Sequence, residues 1–342
     1  MNVTIYDVAR EAGVSIAAVS QVINGKGKIS ERRRREIVRV MERLNYRPSV
    51  IATALAGKRT YTIGLLVPDI SNPFFAEIAR SVEEQGHRLG YSLVICCTDN
   101  KEDRVERYLS LFRSKSVDGI VIGTGIGTDD KETIAPLAHG RIPIVTIARE
   151  LPGCDGGTVV VDDFAGGRMA AGHLTALGHR RMAVLAESPK LSSSRERIRG
   201  FREGLGEAGV ELPDAAVVTC GGQPPVAEGK RRASELLRSG DRPTAIFCCN
   251  DLLAIGTLQA AKEAGLSVPG DVSVVGFDNT ILASVTDPPL TTVAQPIERM
   301  GQLAVDLLIR RLANETDEPP RTVLQPELVV RESTAAPAPS PI

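Results

Sequence analysis

Residues 61–98, YTIGLLVPDISNPFFAEIARSVEEQGHRLGYSLVICCT, decide the fold of this chain. Two short, almost continuous apolar runs at residues 61–67 and 92–98 flank an amphipathic segment at 74–90. Apolar runs of this kind are typical of strands that are covered on both faces, as in parallel sheets. The succession of strand, helix and strand therefore predicts a parallel α/β unit with a right-handed crossover.

The same alternation continues along the chain after this unit. Eight further apolar runs follow: DGIVIGT, IPIVTIA, GTVVVD, RMAVLAE, AVVTC, AIFCCN, VSVVGFD and LTTVAQ. The resulting ten strands exceed one comfortable open sheet, so the pattern predicts two similar lobes. The last segment, STAAPAPSPI at residues 333–342, is rich in proline, alanine and serine. We expect this tail to be disordered.

Charge separates the first sixty residues from the rest of the chain. Residues 1–60 contain 12 Lys and Arg against five acids, a net charge of +7, whereas the remaining residues contain 29 bases against 37 acids, a net charge of −8. The whole chain of 342 residues is nearly neutral, so this asymmetry is hidden in the total. A small basic module before a large acidic body indicates that a polyanion binds the first module.

Capping residues divide the basic module into short helices. Thr4, followed by Asp7, predicts a first helix that ends near Gly13, and Ser15 predicts a second that stops at residues 24–25. Ser30 precedes a third segment whose apolar residues recur at helical spacing. Two helices joined by a glycine-containing turn and followed by a third helix form the outline of a helix-turn-helix domain.

Several classes of protein are disfavoured by the residue patterns. The amino-terminal residues have no signal-peptide pattern, no run approaches 18 apolar residues, and the six cysteines lack zinc or redox spacing. We therefore expect a cytoplasmic protein with reduced thiols and no membrane segment. The GTGIG stretch breaks the dinucleotide pattern, and the four histidines show no metal-ligand spacing. We predict no enzyme activity, cofactor or metal. The two rival classes are a transport binding protein, which the missing signal peptide and the basic module disfavour, and a dinucleotide enzyme, which the broken glycine pattern disfavours.

Nine stretches spread over the whole chain form a recognisable, collinear set of motifs: TIYDVAREAGVS, AVSQVING, LNYRPSVIATALAGKRT, TIGLLVPDISNPFFAEI, DGIVI, GFREGL, CNDLLAIG, SVVGFDN and LTTVAQP. In sequence, order and spacing they resemble the motifs of the LacI/GalR family of bacterial transcription regulators. The resemblance implies an α/β fold class with an N-terminal helix-turn-helix domain and a two-lobed, periplasmic-binding-protein-like core of parallel sheets joined by three crossovers.

The resemblance also implies a domain layout and a function. The expected domains are a helix-turn-helix domain at 1–47, a hinge helix and linker at 48–60, an effector-binding core at 61–332 and the tail. The N-lobe is expected at about 61–161 and 293–321, and the C-lobe at about 162–292 and 322–332. The implied function is that of a repressor, controlled by a small-molecule effector, a sugar or sugar derivative. It would bind a pseudo-palindromic operator in double-stranded DNA as a homodimer, since two-fold protein symmetry is mirrored in the DNA.

The second helix is predicted to read bases from the major groove. Gln21 suits paired hydrogen bonds to adenine, whereas Ile16 and Ala17 offer apolar contact to thymine methyl groups, which leads to the hypothesis of an A/T step in each half-site. The family often has Thr at position 18 and Arg at position 21, so Ala18 and Gln21 leave the half-site sequence open. The residues predicted to contact DNA are Thr4, Ser15, Ile16, Ala17, Ser20, Gln21, Asn24, Lys28, Tyr46, Ala52 and Leu55.

Two elements of the DNA interface have alternative interpretations. The arginines at 32–35 form either a solvated helix face or, for about two of them, phosphate contacts. Residues 49–56 are either a plain linker or a hinge helix, since they are too few for a stable isolated helix. The resemblance places Leu55 where a leucine is wedged into the minor groove, with Ala52 on the same face.

A ligand cleft is predicted at the carboxyl ends of the strands, where open α/β sheets bind ligands. The predicted effector-binding residues are Phe74, Phe75, Ser193, Arg197, Asn250, Asp251 and Asp278. The resemblance matches Arg197, and Ser193 less closely, to the effector-binding positions of the family. An arginine with a carboxylate and an amide holds several hydroxyls at once, which suits a sugar. The alternatives are a core position for one phenylalanine, helix capping for Asp251 and Asp278, and a structural ion pair for Arg197.

Overall fold

A computed structural model of the chain describes residues 3–23, 29–46, 59–124, 142–151, 157–221, 224–315 and 321–338. Three bodies of secondary structure are found in these ranges: a small helical module, followed by two lobes that each contain one six-stranded sheet. The fold class predicted from the sequence is confirmed.

The helical module contains α1 (Ile5–Glu11), α2 (Ile16–Ile23) and α3 (Glu31–Arg43). The Asp7 carboxylate accepts hydrogen bonds from the backbone N–H of Thr4 at 3.0 Å and from its hydroxyl at 2.7 Å, which fixes the start of α1. One side chain from each helix, Val8, Val19 and Ile37, is completely buried where the three helices meet. Periodicity and capping residues therefore predicted this module correctly.

The first lobe contains the sheet with strand order β11-β5-β4-β3-β1-β2, in which every pairing is parallel. Its strands are β1 (Thr62–Val67), β2 (Ser92–Cys97), β3 (Gly119–Ile122), β4 (Ile144–Ile147), β5 (Thr158–Val161) and β11 (Arg321–Leu324). Its helices are α4 (Pro73–Arg88), α5 (Glu102–Ser114) and α11 (Ile297–Leu312).

The second lobe repeats this architecture with the strand order β12-β10-β9-β8-β6-β7, in which only the β10–β12 pairing is antiparallel. Its strands are β6 (Met182–Ala186), β7 (Val217–Thr219), β8 (Ala245–Cys248), β9 (Ser273–Asp278), β10 (Thr291–Ala294) and β12 (Glu327–Val329). Its helices are α6 (Asp163–Ala176), α7 (Ser192–Glu207), α8 (Pro225–Leu237), α9 (Asp251–Glu263) and α10 (Ile281–Val285), with a 3₁₀ turn at Asp214–Ala216.

Strand β1 shows why these runs are apolar throughout. Ile63, Leu65 and Val67 pack with α4 and α11 on one face, whereas Leu66 packs with α5 on the other. Because both faces of the strand are covered, the period-two alternation of a half-exposed strand is absent. All ten strands predicted from the apolar runs are present.

The chain passes between the lobes three times: after β5, between β10 and α11, and between β11 and β12. Two boundaries expected from the resemblance need correction. Strand β10 belongs to the second sheet through Ala294, so the second passage follows residue 294 rather than 292. Residues 322–324 pair with β5 and therefore belong to the first lobe, not the second.

Two strands, β11 and β12, were not predicted from the sequence. Their sequences, RTVL and ELV, are short and begin with a charged residue. Each lies at the edge of its sheet, where only one neighbour is available. Edge strands need fewer apolar residues than central ones, so neither shows the continuous run used to recognise the others.

Helices α6 and α7 are in unusually close contact. A Cβ added at Gly167 would lie 2.1 Å from the carbonyl oxygen of Arg197, and one added at Gly200 would lie 1.9 Å from that of Phe164. Only glycine allows the two backbones to approach this closely. The contact fixes the register of α7, and with it the position of the Arg197 side chain.

The expectation that residues 333–342 are disordered is wrong for the part of the tail that the structure describes. Ser333 is completely buried; its hydroxyl donates to the carbonyl of Val274 at 2.6 Å and accepts from the N–H of Thr291 at 2.8 Å. The imidazole of His179 contacts the carbonyl oxygen of Ala335 at 2.9 Å. Amino-acid composition predicted disorder because it contains no information about hydrogen bonds to strands that are distant in sequence. Residues 339–342 lie outside the described residues.

Candidate functional site

A cavity lies between the two lobes at the carboxyl ends of their strands. Its first-lobe wall consists of Asn72, Phe74, Phe75, Ala148 and Arg149, and its second-lobe wall of Glu187, Ser193, Arg197, Asn250 and Asp278. Six of the seven predicted effector-binding residues are therefore brought together. The cavity measures about 30 Å³, which is little more than the share of one water molecule in the liquid. A ligand of sugar size thus requires the lobes or the side chains to move apart.

The two phenylalanines form the apolar part of the first-lobe wall. Asn72 accepts a hydrogen bond from the N–H of Phe74 at 3.1 Å and so caps α4, with Pro73 at its first position. The rings of Phe74 and Phe75 meet edge to face, with centroids 5.0 Å apart. Both side chains also belong to the core of the first lobe. The two interpretations of these residues are therefore compatible, because each ring packs in the core and also lines the cavity.

Arg197 is the centre of a buried cluster in the second-lobe wall. Its Nε donates to Asp163 at 2.7 Å, its Nη1 lies 3.6 Å from the Asp278 carboxylate, and its guanidinium lies 3.6 Å from the centre of the Phe277 ring. Burial alone lowers the pKa of Arg197, but the Asp163 and Asp278 carboxylates outweigh burial and raise it. The guanidinium is therefore permanently charged, ion-paired and in the wall of the cavity at once.

Asp278 and Asn250 hold polar groups at the ends of neighbouring strands. Asp278 accepts a hydrogen bond from the Gln295 amide at 2.7 Å and has a positive φ of 112°, so its backbone is in a region that non-glycine residues rarely adopt. Burial raises the pKa of Asp278, while the nearby Arg197 opposes that effect. Asn250 accepts from the N–H of Leu253 at 2.8 Å and caps α9. The capping role considered for the aspartates belongs to Asn250.

Asp251 differs in position from the six predicted effector contacts that line the cavity. It is completely buried and is not in the wall of the cavity. One carboxylate oxygen accepts from the Thr292 hydroxyl at 2.6 Å, and the other accepts from the N–H and hydroxyl of Thr280 at 2.8 and 3.1 Å. With both oxygens engaged by protein, Asp251 joins α9 to β10 and to the segment after β9. The structure therefore places Asn250, and not the adjacent Asp251, in the wall of the cavity.

The buried Asp251 carboxyl should make stability depend on pH. Burial raises the pKa of Asp251 to about 6 from an ordinary value of 3.8, although the threonine hydrogen bonds oppose the shift. Between those two values the folded state holds a proton that the unfolded state has lost, so the contribution of Asp251 to stability grows as pH falls through about 6. As pH falls across that window, we expect the free energy of unfolding of the wild type to rise relative to that of Asp251→Asn by about 1 kcal/mol per pH unit.

Urea unfolding of both proteins between about pH 7 and about pH 4.5, a range that includes most of this window, measures the gap. Asp271→Asn is the matched control. Hydrogen bonds from Ser267 lower the pKa of Asp271, so its contribution is lost only below its ordinary range and its gap should stay constant in this window. A gap for Asp251→Asn that is equally flat would contradict the prediction.

Four residues of the cavity wall, Asn72, Ala148, Arg149 and Glu187, were not predicted from the sequence. Arg149 comes two residues after the end of β4 and Glu187 directly after β6, so the rule that ligands bind at the carboxyl ends of parallel strands applies to them as well. That rule would have found both residues if it had been applied to every strand and not only to the strands with motif matches.

The second helix of the small module presents the predicted base-reading residues at the surface. Ile16 is 41% exposed, Ala17 and Gln21 are exposed, and Ser20 is half-buried, whereas Val19 and Val22 pack inward. The Ser15 hydroxyl accepts from the N–H of Ala18 at 3.2 Å and caps the helix. The exposed face of α2 thus contains the expected residues.

The other predicted DNA contacts have mixed positions. The Thr4 hydroxyl is engaged by Asp7, and Tyr46 is half-buried against the core of the module. Arg32, Arg33 and Arg35 are exposed, and Arg34 is half-buried with its Nε 3.8 Å from Glu31. Asn24, Lys28, Ala52 and Leu55, with most of the hinge segment, lie outside the described residues.

Comparisons with known proteins agree with both parts of the architecture. Residues 4–49 match the family model of bacterial regulatory proteins of the lacI family, and residues 171–334 match a periplasmic binding protein-like domain. The HTH-type transcriptional regulator DegA of Bacillus subtilis (strain 168) is 44% identical over 336 residues, covering 98% of this chain and 99% of that protein. The ribose operon repressor of Escherichia coli (strain K12) is 36% identical over 332 residues, covering 96% of this chain and 99% of that protein.

A solved structure extends the similarity to the whole fold. The lac repressor dimer bound to operator and the anti-inducer ONPF has a TM-score of 0.86 at 29% identity, with 98% of this chain and 100% of that chain covered. These matches define the class as a bacterial regulatory protein with a helix-turn-helix module and a periplasmic-binding-like core. The chain belongs to the lacI family of transcription regulators.

Membership of this family decides between the classes left open by the sequence. The relatives are named as transcriptional regulators and repressors, so the prediction that the chain is not an enzyme is confirmed. In the part of the chain that the structure describes, no helix combines the length and the hydropathy needed to cross a bilayer.

Proposed function

We propose that this protein is a repressor that binds a pseudo-palindromic operator as a homodimer and is controlled by a small polar molecule, a sugar or sugar derivative, bound between its lobes. The observation that carries the proposal is the interlobe cavity, where the buried Arg197 cluster faces two aromatic rings. Polar groups that fix orientation beside apolar walls are the usual composition of a small-molecule site. The exposed face of α2, on a basic module, supports the other part of the proposed function, which is DNA binding.

Related proteins support each part of this proposal. Relatives at 34–36% identity include the HTH-type transcriptional repressor PurR, catabolite control protein A and the ribose operon repressor. Similar solved structures include the lac repressor dimer bound to operator, the regulator CelR in complex with cellobiose, and a family member with bound ribose. Sugars therefore occupy structures with this fold, and a dimer on operator DNA is one of its assembled forms.

A contact between the lobes offers a route from ligand to DNA. The Glu77 carboxylate on α4 accepts a hydrogen bond from the N–H of Ile281, the first residue of α10, at 3.1 Å. This contact exists only when the lobes are close, so it favours the closed arrangement. A ligand changes operator affinity only in so far as it binds the open and closed arrangements differently, and coupling of roughly 1–3 kcal/mol is typical.

Selection of DNA sequences by the full-length protein, followed by fluorescence anisotropy, tests the proposal. We expect a pseudo-palindromic site whose affinity falls steeply with salt, because phosphate contacts release counterions. Neutral and charged sugars are then titrated into the complex. Failure to select any symmetric site would overturn the repressor proposal, and selection without any response to ligand would remove its regulatory half.

Replacing Gln21 by alanine should weaken binding to the selected operator by about 1–3 kcal/mol, because the amide can no longer pair with a base edge. Affinity for unrelated DNA should stay unchanged, since it depends on phosphate contacts. Gln302→Ala on α11, where the side chain bonds Glu298 at 2.9 Å, is the control and should leave both affinities unchanged. Equal losses on operator and unrelated DNA would show that Gln21 does not read sequence.

A further inference from the structure

Arg149 has an environment unlike that of the other arginine in the cavity wall. Its side chain follows β4 and is only 8% exposed, and its Nη1 is sealed from solvent without a hydrogen-bond partner among the residues that the structure describes. No described carboxylate approaches within 4.0 Å of this guanidinium to form an ion pair. A buried, unpaired charge is costly and is retained mainly where it serves a function.

The contrast with Arg197 shows what Arg149 lacks. Arg197 has two carboxylates as neighbours, whereas Glu187 is in the same wall as Arg149 but makes no ion pair with it. Burial lowers the pKa of Arg149; Glu187 opposes this shift, and the neighbouring Arg197 guanidinium adds to it. Arg197 is therefore compensated by direct ion pairs, whereas the carboxylates of Glu187, Asp163 and Asp278 act on Arg149 only from beyond ion-pair distance.

The orientation of Arg149 suits a planar acceptor in the cavity. Its guanidinium lies over the Phe75 ring, 5.9 Å from the ring centre, and Phe75 is itself in the wall. This cation–π contact places the guanidinium beside an aromatic part of the wall. The N–H fork of a guanidinium matches two oxygens of one carboxylate or phosphate. A single hydroxyl group satisfies one donor but supplies no negative charge.

We propose that the effector carries an oxyanion, a carboxylate or a phosphate, on a hydroxylated body, and that Arg149 binds this oxyanion. This inference rests on the proposed function of the cavity as the effector site and narrows the ligand from sugars in general to acidic sugar derivatives. The Arg197, Asp278 and Asn250 side of the cavity then binds the hydroxyl groups, and the oxyanion gives each buried arginine its own counter-charge.

Calorimetric titration of the full-length protein with matched series tests this inference. One series is glucose, gluconate, glucuronate and glucose 6-phosphate; the other is ribose, ribonate and ribose 5-phosphate. At least one acid is expected to bind ten-fold or more tightly than its neutral parent, and the carboxylate and phosphate members show which oxyanion is preferred. Neutral parents that bind as tightly as every acid, or no binding by any acid, would overturn the inference.

Variants assign the preference to Arg149. Arg149→Gln is expected to abolish the advantage of the acid while leaving the weaker binding of the neutral parent, and Arg149→Lys is expected to retain part of it because the charge remains. Arg88→Gln, an exposed arginine at the end of α4, makes the same charge change away from the cavity and should keep the full preference. An acid preference that survives in Arg149→Gln rejects the assignment.

The outcomes separate this inference from the proposed function. One outcome is a neutral sugar that binds in the cavity and changes operator affinity, with its acids binding no more tightly. This outcome supports the repressor proposal and overturns the proposal of an oxyanion site. Acid binding that depends on Arg149 but leaves operator affinity unchanged sustains the oxyanion site and removes its regulatory role.

Discussion

Replacing Gly200 by alanine is expected to lower the free energy of unfolding by about 3 kcal/mol, because overpacking of a rigid contact is strongly destabilising. The added Cβ would lie 1.9 Å from the carbonyl oxygen of Phe164 and 2.8 Å from its carbon. Both atoms are backbone, so the clash cannot be relieved by a side-chain rotation; α6 and α7 must separate. Urea denaturation followed by circular dichroism measures the loss.

Gly206→Ala on the same helix is the matched control. No atom lies within 4 Å of a Cβ added there, and the position is exposed. Alanine is the better helix former by roughly 0.8–1 kcal/mol in a helix interior, so the control should be neutral or slightly stabilised near the end of α7. Equal stabilities of the two variants would show that close contact at Gly200 is not required.

Replacing Arg197 by methionine is expected to destabilise the second lobe by about 3–5 kcal/mol, because two buried carboxylates lose their counter-charge. Methionine retains most of the side-chain volume, so the loss reports charge more than packing. The same substitution in an Asp163→Asn background should cost less, since one of the uncompensated charges is then absent. Unfolding in urea of the single and double variants measures the difference.

Arg195→Met provides the comparison two residues earlier on α7. Arg195 is exposed, and its Nη1 donates to the carbonyls of Pro189 and Lys190 at 2.8 and 3.0 Å. Loss of these solvent-exposed contacts should cost about 1 kcal/mol or less. If Arg197→Met were no more destabilising than this control, the ion pairs with Asp163 and Asp278 would not contribute to stability.

The central part of the fold was predictable because local pattern and tertiary environment agree there. Residues 62–67 are apolar for a reason that is visible in the sequence: helices cover both faces of the sheet there. The expectation of two covered faces is wrong for residues 92–97, because they form an edge strand on which Val94 and Ile95 are exposed. The same agreement holds for Thr4, Ser15 and Ser30, which precede the three helices of the first module. Strands β11 and β12 were missed because each is short and begins with a charged residue, so neither forms a continuous apolar run.

The cavity was predictable in its location but not in the use of each side chain. The strand-end rule found Phe74, Asn250 and Asp278, since it depends only on topology. Arg197 came from the resemblance to the LacI/GalR family. The strand-end rule did not distinguish Asn250, in the wall, from Asp251, which is buried beneath it, because that distinction depends on the start of one helix. Arg149 was missed because it stands out only by lacking an ion-pair partner among the described residues. A missing tertiary contact cannot be recognised from a local sequence pattern.

The last two strands also constrain how the protein is made. Strand β11 completes the first sheet beside β5, strand β12 completes the second beside β10, and Ser333 then joins the strands of the second sheet. During synthesis, the ribosome therefore releases the edges of β5 and β10 well before their partners emerge. Unpaired edges favour association with other chains. We expect nascent chains that stall before residue 321 to aggregate, although nearly all of both cores has already been translated.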